Sequence, residues 1–486
     1  MNFYFGAAKA LDRLDAREGS VKGVLATLPE KDRKRTAALV IETLKYKLVL
    51  GDVIDRAELM KSEHKLKSKN LVLVLVHDLL LSGGGIQAGD GPLKQAILRH
   101  KTRLRAELQK VKVKFGVSSN ADLANEGDQR AVQIPRYVRV NTNIWSMNEA
   151  ITFFKSRGYV LSTDGIKSDK DFVPDEHIPD LLHFPHKVSF HDDEAYRTGK
   201  IILQDKASCI PAFVLDPPSD PSAVVIDATA APGNKTSHLS ALMKNKGKLY
   251  AFEKDRRRFQ TLKTMLAKAG CKNTEACHAD FLTVDPKDVK YSPATHILVD
   301  PSCSGSGIVN RLDYLLETEE EGNGDEESSR LSKLASFQEM MIKHAMKFPN
   351  VQRIVYSTCS VHATENEHVV RSVLQSDLPE AQNFTLEKAL PSWHRRGLPD
   401  EFGSSDADNF VRCSPGEDAT NGFFVSCFVR RSLAPSPDQH APSKKRIAAE
   451  NAEPDLQLSE PPRKKKKKSK KKCNTSALVQ DDEVKK

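Results

Sequence analysis

The sequence predicts an α/β fold built on a parallel sheet, preceded by a helical region and followed by a basic tail. Three observations carry this reading. Between about residues 200 and 375, short β-branched runs alternate with helical patterns, the signature of a parallel sheet. Two of those runs, Ile297-Leu298-Val299 and Arg353-Ile354-Val355-Tyr356, end in polar turns that deliver Cys303 and Cys359. Charge is also partitioned along the chain: residues 1–130 carry a net +8, 131–430 a net −6 and 431–486 a net +7.

Taken in order, residues 1–125 read as helical, with Leu39, Leu44 and Leu48, then Leu93, Ile97 and Leu98, recurring four or five residues apart. Glycines at 83–85, 89 and 91 mark a loop between helices. Residues 101–114 hold six basic side chains against Glu107 alone, either a basic stripe or an ordinary exposed helix face. Residues 130–200 read as a small α+β module: Pro135 to Thr142 alternates like a strand, and a helix over 148–158 stops at Gly158. Residues 201–430 form the main α/β domain, with a late strand over 422–429. Within it, residues 317–329 are acidic and rich in Gly and Ser, and are expected to be a disordered insertion. Residues 431–486 are expected to be a disordered basic tail, in which Arg463 and five lysines, with Lys444-Lys445-Arg446 upstream, form a bipartite nuclear-localisation pattern.

A chain of 486 residues with 39% hydrophobic content supports two or three domains with real cores. Eight cysteines without a CxxC pair give no zinc pattern, so no metal is expected. Charges at Asp12, Arg13, Asp15 and Arg17 interrupt any apolar leader, and the apolar run over 71–81 is too short to span a bilayer. A soluble intracellular protein with reduced thiols and no membrane partner is expected.

Strand 224–226 runs into Asp227-Ala228-Thr229-Ala230-Ala231-Pro232-Gly233-Asn234-Lys235-Thr236, a small-residue turn and a helix start. Small side chains let a ligand approach the backbone, and the helix start offers free N–H groups. A dinucleotide fingerprint would need G-x-G-x-x-G, and only Gly233 is present. A phosphate loop would need glycine directly before lysine, and Asn234 stands there. The next strand ends at Glu253, placed to take two ribose hydroxyls, and the one after ends near Asp280, an acceptor for an adenine amino group. Asp227, Glu253, Asp280 and Asp300 thus stand in order across four strand ends, an arrangement that resembles the class I S-adenosylmethionine-dependent methyltransferases, whose sheet is Rossmann-like.

DATAAPGNKT, DPSCSGSG, YSTCS with Glu365-Asn366-Glu367 behind it, the segment 203–208 and the RVNT at Asn141 are similar to the RNA cytosine-C5 methyltransferases of the NOP2/Sun (RsmB-type) family. The resemblance covers about 135–430 and is nearest the fifth-member branch, the large-subunit rRNA methyltransferases. It implies S-adenosylmethionine as cofactor, held by Thr229, Ala230, Ala231, Pro232, Gly233, Asn234, Lys235, Glu253, Arg258, Asp280 and Asp300. It also implies that Cys359 is the nucleophile, Asp300 the cytosine contact and Cys303 the residue tied to release, as base or proton relay. The chemistry requires such groups: C5 of cytosine is a poor nucleophile until a thiolate adds at C6 and makes it enamine-like. A proton on Asp300 would require its pKa to be raised, as burial can do. Lys235 would favour the thiolate or contact the target nucleotide.

Asn234, Thr229 and Ser302 depart from the family's usual glycine, cysteine and proline, and none of these changes removes a reacting group. The resemblance further implies RNA as partner, large-subunit rRNA or a pre-ribosomal particle, with the small module as its platform. There Phe184, His186, Phe190 and His191 could stack or touch backbone, although core packing suits the phenylalanines better. A monomer in the nucleus and nucleolus is expected. Two rivals are an amino-nitrogen methyltransferase, which usually places an aromatic after Asp-Pro-Pro, and a non-catalytic ribosome-assembly factor on a dead methyltransferase scaffold.

Overall fold

The computed structural model describes residues 1–431 apart from 17, 126–127, 310–314 and 317–323. The expected basic tail therefore lies outside the described residues, bar its first position. From Asn2–Asp15 to Lys101–Phe115 the chain is helical. The helix Lys69–Leu80 runs through the middle of this region. Ser68 starts it by accepting the Leu71 N–H, and every residue from Asn70 to Leu79 is buried. Its polar members are partnered: the Tyr4 hydroxyl donates to Asp78 at 2.5 Å, and the Asn70 amide donates to Asp12 and Asp15 at 2.8 Å each. Left unpaired, such a buried amide would cost roughly 2–7 kcal/mol. Helix Lys101–Phe115 buries Leu104, Leu108 and Val111 and turns Lys101, Arg103, Arg105, Lys110 and Lys114 outward. Lys112 leaves the stripe, being buried with its ammonium donating to the Ser118 carbonyl.

A small mixed sheet follows, with strands β1 (Arg136–Val140), β2 (Val160–Leu161), β3 (Asp171–Pro174), β4 (Leu181–Phe184) and β5 (Ile201–Leu203), in the order β2-β3-β4-β1-β5. Its covering helix, Met147–Ser156, opens with a capping box between Ser146 and Glu149. Phe184 and Phe190 are buried against Phe154, at ring-centroid distances of 4.9 and 5.7 Å. They are core residues, not stacking surfaces, whereas His186 and His191 are exposed.

The main sheet comprises β6 (Val224–Asp227), β7 (Lys248–Phe252), β8 (Thr274–Cys277), β9 (His296–Val299), β10 (Arg353–Thr358), β11 (Phe384–Glu387), β12 (Val411–Cys413) and β13 (Phe423–Arg430). The order is β11-β13-β10-β9-β6-β7-β8, with β12 on β13. The sheet is not wholly parallel: β13 inserts antiparallel between β10 and β11. Phe423 to Phe428 are all buried, as a central strand requires. Strands β7 and β8 lie on one side of β6 and β9 and β10 on the other, so strand order reverses at β6/β9, where open α/β sheets bind ligands.

The expected insertion at 317–329 divides. Residues 317–323 lie outside the described residues, whereas 324–329 begin the helix Gly324–Met346. Composition alone hid that. Among the described residues no helix is long and apolar enough to cross a membrane.

Candidate active site

A cavity of about 610 Å³ opens at the carboxyl ends of β6, β7, β9 and β10. Glu253, buried at the end of β7, accepts the Asp255 N–H on one oxygen at 2.8 Å and stands 3.5 Å from Arg258 Nε on the other. A carboxylate has about four lone-pair sites, so capacity remains for a pair of hydroxyls. Phe252, Ala279, Phe281, Phe337 and Met341 give the cavity an apolar wall suited to a flat ring, with Asp280 at its edge. Thr229 and Ala231 present the turn after β6, and Arg258 braces that turn by donating to the Ala231 carbonyl at 2.8 Å. A paired-hydroxyl acceptor, an apolar slot and a close backbone turn fit S-adenosylmethionine.

Not every expected cofactor residue faces this space. Gly233 takes φ +113° at the helix cap, where a Cβ would sit 3.3 Å from Leu262 and Met265. Pro232 and Asn234 border a separate small cavity beside Met265 and Lys268, and Ala230 packs with Leu262 and Leu266. These four shape the turn from behind. Asp227 is likewise not a cavity acid. It is buried, accepting the Thr236 hydroxyl at 2.7 Å and the Thr229 N–H at 3.3 Å, and burial pushes its pKa up to about 6. It organises the turn on which the cavity is built.

In-register parallel pairing of β9 with β10 sets Val299 beside Tyr356, so the two cysteine loops emerge together. Cys303 Sγ and Cys359 Sγ lie 3.1 Å apart, both at the cavity wall. The hydrogen bond to Cys359, and then burial, hold the Cys303 pKa far above the ordinary thiol range. Lys235 sits alongside. Its ammonium pairs with Asp300 Oδ2 at 2.8 Å and donates to the Ser208 hydroxyl at 3.1 Å. Burial opposes its charge, but Asp300, with Cys359 and Asp227 behind it, outweighs burial and raises the Lys235 pKa. Asp300 Oδ1 accepts the Ser357 hydroxyl at 2.7 Å. Both Asp300 oxygens thus act as acceptors, and Lys235 is the donor at this corner.

Sequence reasoning left out Phe337 and Met341, and also Arg139. That guanidinium, fully buried on β1, donates to Gln204 and Ser237 at 2.8 Å and to the Asn234 carbonyl at 3.2 Å. It pins the small sheet to the first turn of the cofactor helix. The Arg of RVNT was the available signal. Asn141, in the same motif, donates to the Gly199 and Ala269 carbonyls at 2.8 and 2.9 Å.

Residues 212–429 match the family model for the 16S rRNA methyltransferase RsmB/F. Residues 34–124 and 134–204 match the N-terminal and ferredoxin-like domains of NOL1/NOP2/Sun domain family member 5. The chain is 45% identical to the 25S rRNA (cytosine-C(5))-methyltransferase rcm1 of Schizosaccharomyces pombe, over 88% of this chain and 91% of that protein. It is 43% identical to the 28S rRNA (cytosine-C(5))-methyltransferase of Mus musculus, over 90% and 93% respectively. The crystal structure of PH0851 shares the fold, with a TM-score of 0.55 and 21% identity over 83% of this chain and 91% of that one.

Proposed function

The chain belongs to the NOL1/NOP2/Sun family of RNA cytosine-C5 methyltransferases, on its fifth-member branch, and on that premise we propose that it forms 5-methylcytosine in large-subunit ribosomal RNA with S-adenosylmethionine as methyl donor. The observation that carries the mechanism is the thiol pair at the cavity wall, 3.1 Å between sulfurs, with a lysine–aspartate pair beside it.

Cys359 attacks as a thiolate, its charge favoured by the Lys235 ammonium and by the Cys303 S–H. Its sulfur bonds to C6 of an unpaired cytosine, and the C5=C6 electrons shift toward C5 and the ring's N3 side. Lys235 is the donor that meets the charge at N3, while Asp300 accepts from the exocyclic amine. This division differs from a protonated Asp300, because that carboxylate already receives Ser357 and Lys235. S-adenosylmethionine, when bound, supplies an electrophilic methyl carbon to C5. C5 then carries both methyl and hydrogen. Loss of that proton to a base reforms C5=C6, and the C6–S electron pair returns to Cys359. Cys303 acts at this last step, as the base or as the hydrogen-bond donor to the departing sulfur.

The family's own chemistry and the intact Cys303, Cys359 and Asp300 favour this over a dead scaffold. An amino-nitrogen methyltransferase usually places an aromatic where Cys303 stands. The lysine tail and the large-subunit rRNA relatives support a nucleolar site of action. Bisulfite sequencing of large-subunit rRNA from cells with and without the protein tests the activity: one cytosine should lose its protection from deamination when the protein is absent, and an unchanged pattern would overturn the proposal. Purified chain given naked rRNA or pre-ribosomal particles with labelled S-adenosylmethionine identifies the substrate form.

A further inference from the structure

Behind the two cysteine loops lies Glu365-Asn366, whose side chains have no place in the chemistry above. Glu365 is completely buried, yet no ion pair among the described residues involves it. Its donors are specific. Oε1 accepts the Ser304 N–H at 2.9 Å and the Gln338 amide at 3.0 Å, and Oε2 accepts the Ser304 hydroxyl at 2.5 Å. Gln338 reaches from the helix Gly324–Met346 and also donates to the Ser302 carbonyl at 3.1 Å. The residues on either side of Cys303 are thus held to one carboxylate, Ser304 directly and Ser302 through Gln338.

Asn366 treats the other cysteine alike. Its Oδ1 accepts the Thr358 hydroxyl at 2.5 Å, and its Nδ2 donates to the Ser360 carbonyl at 3.0 Å. The residues on either side of Cys359 are fixed by one amide. Glu367, next in sequence, instead pairs with Arg412 and serves the core. A buried carboxylate without a cation is an expensive way to hold a loop, and this one has all its hydrogen bonds on, or through, the Cys303 loop.

We propose that Glu365 and Asn366 are positioning residues that set the two reacting sulfurs, Glu365 through the loop of Cys303 and Asn366 through the loop of Cys359. The kinetic part rests on the reading of Cys359 as nucleophile and Cys303 as the release residue. Because the two side chains act on different cysteines, their loss affects different steps. Without Glu365 the covalent RNA adduct forms and persists. Without Asn366 the adduct forms slowly and does not accumulate.

The test compares Glu365→Ala, Glu365→Gln and Asn366→Ala with Cys303→Ala and Cys359→Ala as references. It measures adduct on denaturing gels, turnover, S-adenosylmethionine affinity and melting temperature. Misplacing a reacting group by about 1 Å costs on the order of a hundredfold. Turnover should therefore fall by about that factor in both alanine variants, with adduct accumulating in Glu365→Ala alone. Glu365→Gln, which keeps an acceptor for the Ser304 N–H, should recover most of the turnover, and it carries the test if Glu365→Ala does not fold. A readout independent of the reaction is the rate at which diamide, without RNA, takes two electrons and two protons from the thiols to join Cys303 to Cys359. That rate should fall about tenfold or more in both alanine variants. Unchanged diamide rates would overturn the positioning role, as would indistinguishable adduct behaviour in folded Glu365 and Asn366 variants while the cysteine references differ. If Cys303→Ala fails to trap adduct but the diamide rates fall, positioning stands and the reading of Cys303 is what fails.

Discussion

The sulfurs of Cys303 and Cys359 stand 3.1 Å apart, close enough for one thiol to donate to the other. The hydrogen bond to Cys359, and then burial, hold the Cys303 pKa far above the ordinary thiol range, in keeping with the proposal that Cys359 is the nucleophile. Cys359→Ala is expected to abolish both methyl transfer and adduct formation. Cys303→Ala should leave attack possible and trap the RNA–protein adduct, visible as a gel band that survives denaturation. If Cys359→Ala gave the stable band and Cys303→Ala did not, the roles of the two thiols would be exchanged.

Lys235 holds positive charge within the same group of side chains as Cys359 and Asp300. In the mechanism proposed above this cation favours the Cys359 thiolate, and replacing Lys235 with methionine removes it. An opposite charge within about 4–6 Å is worth about 1–3 pKa units to its neighbour. Alkylation of Cys359 by iodoacetamide at neutral pH should slow about tenfold or more in Lys235→Met. An unchanged rate would mean that the lysine serves the nucleotide alone.

Asp227 gives a pH signature of its own. Burial, only partly offset by Thr236 and Thr229, raises its pKa to about 6 in the folded protein, so the folded state holds that proton more tightly than the unfolded chain does. Stability from this group is therefore greatest below pH 4 and falls as pH rises to about 6, then stays level. Asp227→Asn cannot ionise and keeps polar atoms for both threonines. Its stability relative to the parent, followed by denaturant melts at several pH values, should rise between pH 4 and 6 by up to about 3 kcal/mol.

The bidentate pair of Glu367 with Arg412, at 2.7 and 2.6 Å, is buried on both sides. Removing one member strands the other charge, at a cost of about 3–5 kcal/mol. Glu367→Ala should accordingly lower the unfolding free energy by that order. A change below 1 kcal/mol would show that Arg412 finds another acceptor.

What could be read from the sequence was local. Strand ends, the cofactor turn and both cysteine loops follow from apolar runs meeting Pro, Ser and Gly, and those signals lie within a few residues of one another. What it could not show depends on which way a side chain faces or what it meets far along the chain. Asp227 and Glu253 both end strands, yet one turns inward and the other toward the cavity, and a terminal residue offers either face. The Arg139–Ser237 and Gln338–Glu365 contacts join residues 98 and 27 apart in sequence, beyond any pattern of period two or 3.6. Residues 324–329, expected as part of a disordered insertion, begin a helix instead, because their acidic composition suits a solvated helix start as well as disorder.

The seam around Arg139 limits how the protein can be cut and recombined. Gly199 meets Lys268 so closely that a Cβ would stand 2.2 Å from its carbonyl oxygen, and the Asn141 and Arg139 side chains cross the same boundary. A chimaera that grafts this ferredoxin-like piece onto a relative's catalytic half must therefore carry over Ser237 and the 268–269 corner as well. Otherwise the guanidinium enters the junction without its Ser237 acceptor, and the hybrid inherits a flaw beneath its cofactor helix.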